Sequence, residues 1–196
     1  MKYEFTGKTK VHLCITLKQI RATENFGVVV KGDIGGWIQS EANLDVYGNA
    51  WVYGDALVSG DARVSGDAEV SGNARVYGDA LVSGDARVYG NALVSGDAEV
   101  SGDAWVSGNA QVYGDARVQL QSDYFCAQGV GSEFGTLTAF RCEVGIKVSR
   151  GCFLGTLDEF RAAVREKHGE DSKVGRSYLG LSNWIEHWFS DAARGE

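Results

Sequence analysis

The 196-residue sequence predicts a mainly β protein built as a solenoid of stacked coils, and three observations predict it. From Val46 to Arg117 one six-residue phrase, V-[S/Y]-G-[D/N]-A-x, runs twelve times without an insertion. Self-similarity at a fixed period marks units that bury an apolar face only against their neighbours. Within the phrase, A-x-V-[S/Y] alternates small apolar, variable, Val and hydroxyl-bearing residues, the period of two of a short strand. Ala and Val therefore point inward. Gly followed by Asp or Asn supplies a corner, because Gly accepts unusual dihedrals and an Asx side chain bonds its own backbone.

The chain ahead of the repeat reads as an end-piece. KYEF, KVHLCITL and KQIRA are β-leaning runs, and an open solenoid end exposes unpaired strand edges and an apolar cross-section that need a cover. Residues 1–27 are assigned to this N-terminal β cap. His12 and Cys14, two apart, fall on one side of a strand, but two ligands do not make a metal site. From Val28 the six-residue frame fits loosely, with Val28 and Ile34 in the aliphatic place, Ile38 and Leu44 in the small one and Ser40 an exception. This predicts an irregular coil over residues 28–45 and a repeat domain over 28–118.

An aliphatic residue in the first place and a small one in the fifth, every six residues, resembles the hexapeptide pattern of left-handed parallel β-helices. The resemblance implies three phrases, about 18 residues, per triangular coil. The regular phrases then make four coils, the irregular stretch brings the total to about five, and successive coils lie roughly 4.8 Å apart. The stretch LKQIRATENFGVVVKGDIGGWIQSEANL looks like the leader of an uncharacterised enterobacterial and phage branch of hexapeptide-repeat proteins, "IRA..FG.V..GD.GGWI..E.NL". It implies lineage and not chemistry.

With three phrases per coil, exposed residues sort into columns spaced by eighteen. One face carries Trp51, Glu69, Arg87 and Trp105 beside Tyr53 and Tyr89; a second carries Leu57, Arg75, Leu93 and Gln111; the third, with Arg63, Leu81, Glu99 and Arg117, is the most polar. Trp, Tyr and Arg most often anchor interfaces, so Trp51, Tyr53, Arg87, Tyr89 and Trp105 form a candidate contact surface. The plainer alternative is that these aromatics merely cover a β surface. At the corners Asn73, Asn91 and Asn109 form an uncharged column, whereas Asp61, Asp79, Asp97 and Asp115 stack. Carboxylates near 4.8 Å repel by only about 0.9 kcal/mol in water, so simple turn chemistry accounts for them, with a cation-binding ladder as the alternative.

After Val118 the composition changes, and residues 119–196 read as a small C-terminal α+β module. DYFCAQGV, GTLTAFRCEVG and GIKVSRGCF are strand-like, with Phe140, Cys142 and Val144 on one face, which makes Cys142 a small buried hydrophobe. Thr156 with Glu159 forms a capping box ahead of LDEFRAAVREKH, and Gly169 stands where that helix ends. A second helix is expected over Lys173–Ala193, its stripe running through Val174, Tyr178, Leu181, Ile185, Trp188 and Ala192, flanked by Trp184 and Phe189. Trp184, Trp188 and Phe189 are a second candidate contact surface, with core packing as the alternative. The segment GCFLGTLDEFRAAVREKHGEDSKVGRSY resembles a module recurring in phage and prophage proteins, in which Cys152, His168, Asp171 and Tyr178 are the polar positions of interest. His168 in a last helical turn also suits the helix dipole.

Charge and missing motifs narrow the chemistry. The net charge of −7 divides as +1 over residues 1–45, −6 over the repeat and −2 over the remainder, so the acidity belongs to the solenoid and argues against nucleic acid as its partner. Mimicry of DNA by an acidic rod is dilute, because four arginines interrupt ten acids. The enzymes of the β-helix family that the chain resembles, acyltransferases and γ-class carbonic anhydrases, depend on coil histidines, and residues 28–118 contain neither His nor Cys. No cofactor or metal is expected. The lack of an 18-residue apolar run or a signal-peptide core, with four scattered cysteines, points to a cytoplasmic protein with reduced thiols and no membrane partner. The expected function is a non-enzymatic phage- or prophage-type scaffold acting by binding and self-association, with a homotrimer implied by the resemblance. Two alternatives remain: blocking a host defence factor, whether by protein binding, DNA mimicry or sequestering a small ligand, and structural or filament-forming use.

Overall fold

The computed structural model describes residues 1–191 and is mainly β: a parallel solenoid of about five turns, a strand region before it and a two-helix module after it. Strands β1 (Tyr3–His12), β2 (Ile15–Ala22) and β3 (Ile34–Ile38) come first. Twelve two-residue strands, β4 to β15, then start at Trp51–Val52 and recur every six residues to Arg117–Val118. Each consists of the variable residue and the following Val.

The columns pair in the register expected: Trp51 with Glu69, Glu69 with Arg87 and Arg87 with Trp105, and likewise around the other two faces. Every phrase Ala from Ala50 to Ala116 and every phrase Val from Val52 to Val118 is buried. The reason is geometric: a triangular coil of six-residue sides has room inside only for a small residue at the corner and one branched residue per side. At the corners the glycines hold left-handed dihedrals, as at Gly84 with φ +67°. A β-carbon there would lie 2.9 Å from the amide nitrogen of Gly102 in the next coil. The Asn column forms an amide ladder, Asn73 donating to Asn91 (3.2 Å), Asn91 to Asn109 (3.1 Å) and Asn109 to Gln128 (3.0 Å).

The irregular coil departs from the expected frame. Ile38 pairs with Val58 and Leu44 bridges to Val64, twenty residues on rather than eighteen, so Ile38 and Leu44 fill the Val place and not the small one. Val28, Ile34 and Val46 are exposed. Eight residues, not six, then separate Leu44 from Val52, and the surplus leaves Val46 and Tyr47 outside the wall. The buried Lys2 ammonium holds this turn, donating to the carbonyls of Ala50 (2.9 Å), Gly48 (3.1 Å) and Tyr47 (3.4 Å). Burial lowers the Lys2 pKa from its usual value, while Asp45 and Asp67 oppose that shift.

The two solenoid ends are closed differently. At the first, β3 continues one sheet by pairing parallel with Leu57–Val58 and antiparallel with β2, which pairs with β1, giving a seven-stranded sheet. Tyr3, Ile20, Val29 and Ile38 join the solenoid core. Leu13 and Cys14 form the β1–β2 turn with positive φ, so Cys14 does not share a strand face with His12.

At the other end a four-stranded antiparallel sheet closes the stack: β16 (Tyr124–Val130), β17 (Gly135–Arg141), β18 (Ile146–Arg150) and β19 (Phe153–Thr156). Tyr124 and Phe140 enter the solenoid core; Leu137, Ala139 and Val148, on the opposite face, pack on the helices. Side chains meet the backbone of the last coil: Gln111 N–H donates to Thr138 Oγ1 (3.0 Å), Ser149 Oγ donates to Gln111 O (3.3 Å) and Trp105 N–H donates to Gln121 Oε1 (3.2 Å). Val144 lies exposed in the turn after Cys142, off the face expected for it, while Cys142 is buried. Helix α1 (Leu157–His168) begins at the Thr156–Glu159 capping box and ends at Gly169; α2 (Lys173–Asp191) packs against it. Ala192, placed on the α2 stripe by sequence, lies outside the described residues.

Candidate functional site

Two surfaces collect the residues singled out by sequence. The first is aromatic. Trp51 does not belong to it: it is 0 % exposed, boxed in by the rings of Tyr3, Phe26 and Tyr53 at centroid distances of 6.3, 5.4 and 6.5 Å. The cap reaches it because β3 passes through Gly35, where a β-carbon would stand 2.6 Å from Trp51 Cζ2. Tyr53 is half-buried beside it, and burial raises its phenol pKa. Arg87, Tyr89 and Trp105 remain outside, with Trp105 46 % exposed and the Arg87 guanidinium 5.1 Å from its ring.

Phe189 does not belong to a contact surface either. It is buried with Leu137, Ile185 and Phe160 in the core of the C-terminal module, and Arg141 anchors its carbonyl at 2.9 Å. Trp184 and Trp188, one helical turn apart on α2, are 43 % and 37 % exposed and stack at 5.2 Å with an interplanar angle of 22°. Trp184 rests on Phe125 at 4.6 Å. A groove of about 320 Å³ is lined by Ser107, Gln121, Phe125 and Trp188. Ser107 follows the Trp105–Val106 strand, so the corner after Trp105 and Trp188 on α2 border the same groove. The sequence offered these as separate surfaces.

The second surface is a cleft of about 460 Å³ between α1, the β18–β19 turn and Tyr178. Of the four polar positions of interest, Cys152, His168 and Tyr178 line it; Asp171 does not, and instead accepts from Arg176 through its carbonyl. Cys152 sits exposed in the turn. The His168 ring faces that of Tyr178 at 5.8 Å. Sequence reasoning missed Arg150, Lys167, Phe153 and Phe160, which also line the cleft. A signal for Arg150 was present, since it continues the Ile146–Val148 alternation and so falls on the helix side of its strand. A shallower depression beside Glu4 and Arg21 is bounded by an ion pair those two residues make with each other. Among the described residues no three His, Cys, Asp or Glu side chains gather as a metal site, and no helix is long and apolar enough to cross a membrane.

Against known proteins, a search of curated sequences finds no match. A family model described as the YdcK Beta solenoid repeat matches residues 68–84, 86–102 and 110–122. The matched residues lie within the regular coils and the first turn beyond them. The chain is thus similar to that family in its solenoid, and neither candidate surface is covered as a whole.

Proposed function

We propose that the protein is a non-enzymatic scaffold that acts by binding and self-association, a left-handed β-helix of the phage or prophage type working in the cytoplasm as a homo-oligomer, with a trimer as the first expectation. One observation carries the proposal: Trp188, stacked on Trp184, lines a groove together with Ser107, two residues on from the exposed Trp105, on a molecule whose other large aromatics are mostly taken into its cores. Contiguous exposed aromatics rimmed by polar groups are the usual mark of a protein interface, with Trp, Tyr and Arg as its anchors.

End-to-end stacking into filaments has less support, because the backbone of both terminal coils is engaged by the caps. DNA mimicry also loses ground: Glu69, Glu99 and Asp115 are paired with Arg87, Arg117 and Lys147, which further dilutes an acidic surface. Sedimentation velocity at micromolar concentration is the test. An oligomer that dissociates in the Trp105→Ala, Trp188→Ala double variant is the expected result. A wild-type chain that is monomeric throughout overturns the proposal.

A further inference from the structure

We propose that the cleft in the C-terminal module binds a small organic anion carrying one flat apolar group, such as an aromatic carboxylate or phosphate ester. This goes beyond self-association and does not depend on it. The cleft, at about 460 Å³, has the size of an ordinary small-molecule site. Its apolar part is formed by Phe153 and Phe160, whose rings meet edge-on at 5.4 Å, together with Val164. Such walls suit a planar ring.

Its charged part is cationic. Arg150 and Lys167 both line the cleft, and among the described residues neither has a carboxylate within ion-pair distance. Glu133 is the only acid among the lining residues, on a protein of net charge −7. Arg150 is also fixed in place. Its Nε–H donates to Tyr178 Oη at 3.1 Å and its Nη2–H to the Val130 carbonyl at 3.1 Å, leaving Nη1 with no protein acceptor among the described residues. Tyr178 can stand there because position 131 is glycine, where a β-carbon would lie 1.9 Å from Oη. A guanidinium held by two neutral acceptors keeps its full charge, and its Nη1 remains to donate to a carboxylate or phosphate oxygen. Beside an apolar wall, where water competes poorly, that charge selects an anion and the wall selects its ring.

The test is a ¹⁵N NMR titration of the full chain with phenyl phosphate, benzoate, inorganic phosphate and benzylamine. Phenyl phosphate and benzoate are expected to saturate, with shifts centred on Arg150, Cys152, His168 and Tyr178. Inorganic phosphate should bind roughly tenfold more weakly for want of the ring, and benzylamine should not saturate. Lys167→Ala, an exposed change that leaves the core intact, should weaken phenyl phosphate several-fold. Arg150→Lys, which keeps the charge but loses the guanidinium held by Tyr178 and Val130, should weaken it further if its amide spectrum shows the native fold. Benzylamine binding as well as benzoate, inorganic phosphate matching phenyl phosphate, shifts centred elsewhere, or no saturation by any probe at about 10 mM would each overturn the proposal.

Discussion

Trp51 and Trp105 are the first and last members of one column, in the near-identical phrases GNAWV and GDAWV, yet one is wholly buried and the other nearly half exposed. The difference comes from the ends of the solenoid. At the first end the chain extends a sheet, backbone to backbone, and β3 with its hairpin folds down over Trp51. At the last end a separate sheet closes the stack, joined to the coils through Thr138, Ser149 and Gln121 side chains and an isolated bridge between Ala116 and Cys142. That sheet covers the core but leaves the Trp105 face open. A repeat position therefore has no fixed environment; its distance from a cap decides it.

The comparison can be broken most easily at Trp51. Trp51→Ala should cost about 3–5 kcal/mol in urea unfolding, the loss typical of a large buried aromatic. A cost near zero would mean that the cap does not pack as described. Next is Thr138→Val, which preserves shape but leaves the Gln111 amide without its acceptor, for an expected loss of about 1–3 kcal/mol.

The Lys147–Asp115 pair, 2.6 Å apart, ties the C-terminal sheet to the last coil and should matter less. Its hydrogen bond lowers the Asp115 pKa and raises that of Lys147. The depressed carboxylate contributes stability above its unfolded pKa that is lost as pH falls through the folded value. The raised ammonium contributes stability below its unfolded pKa that is lost as pH rises through its own folded value. Both groups are partly exposed, so the pair is worth about 0.5 kcal/mol on a neutral plateau. Lys147→Met should remove that amount at pH 7 and almost none near pH 2, as paired unfolding curves would show. Smallest of all is Trp105→Ala, expected to change monomer stability by no more than about 0.5 kcal/mol. A loss comparable to that of Trp51→Ala would abolish the contrast.

Much of the solenoid was legible because its rule is local. Six residues per side, with Ala and Val inward, set each strand and corner without reference to distant parts of the chain, and the hexapeptide resemblance added three sides per coil. The irregular coil was misplaced by two residues because VYGNA at its end matches the repeat in letters, while Leu44 already occupies the Val place. The phrase instead begins as an external turn, held by the Lys2 ammonium from more than forty residues away in sequence. The cleft was half legible: Cys152, His168 and Tyr178 stood out as polar positions, whereas no local pattern distinguishes the cleft-lining Phe153 and Phe160 from other apolar residues of the module. Phe189 was taken for a surface residue because helical periodicity identifies a stripe without saying which edge of it faces inward.

By itself the sequence determined the six-residue strand-and-corner phrase, the corner chemistry and the capping box of α1, since each depends on residues close in the chain or on a repeat that copies itself, while the eighteen-residue register followed from the hexapeptide resemblance. Tertiary structure alone decided which tryptophans are buried, how the two ends are closed, that Trp188 of α2 shares a groove with the corner after Trp105, and that Arg150 lines a cleft with apolar walls. Those outcomes depend on contacts between segments tens of residues apart. A local pattern fixes which way a side chain points, but not what another part of the chain places against it.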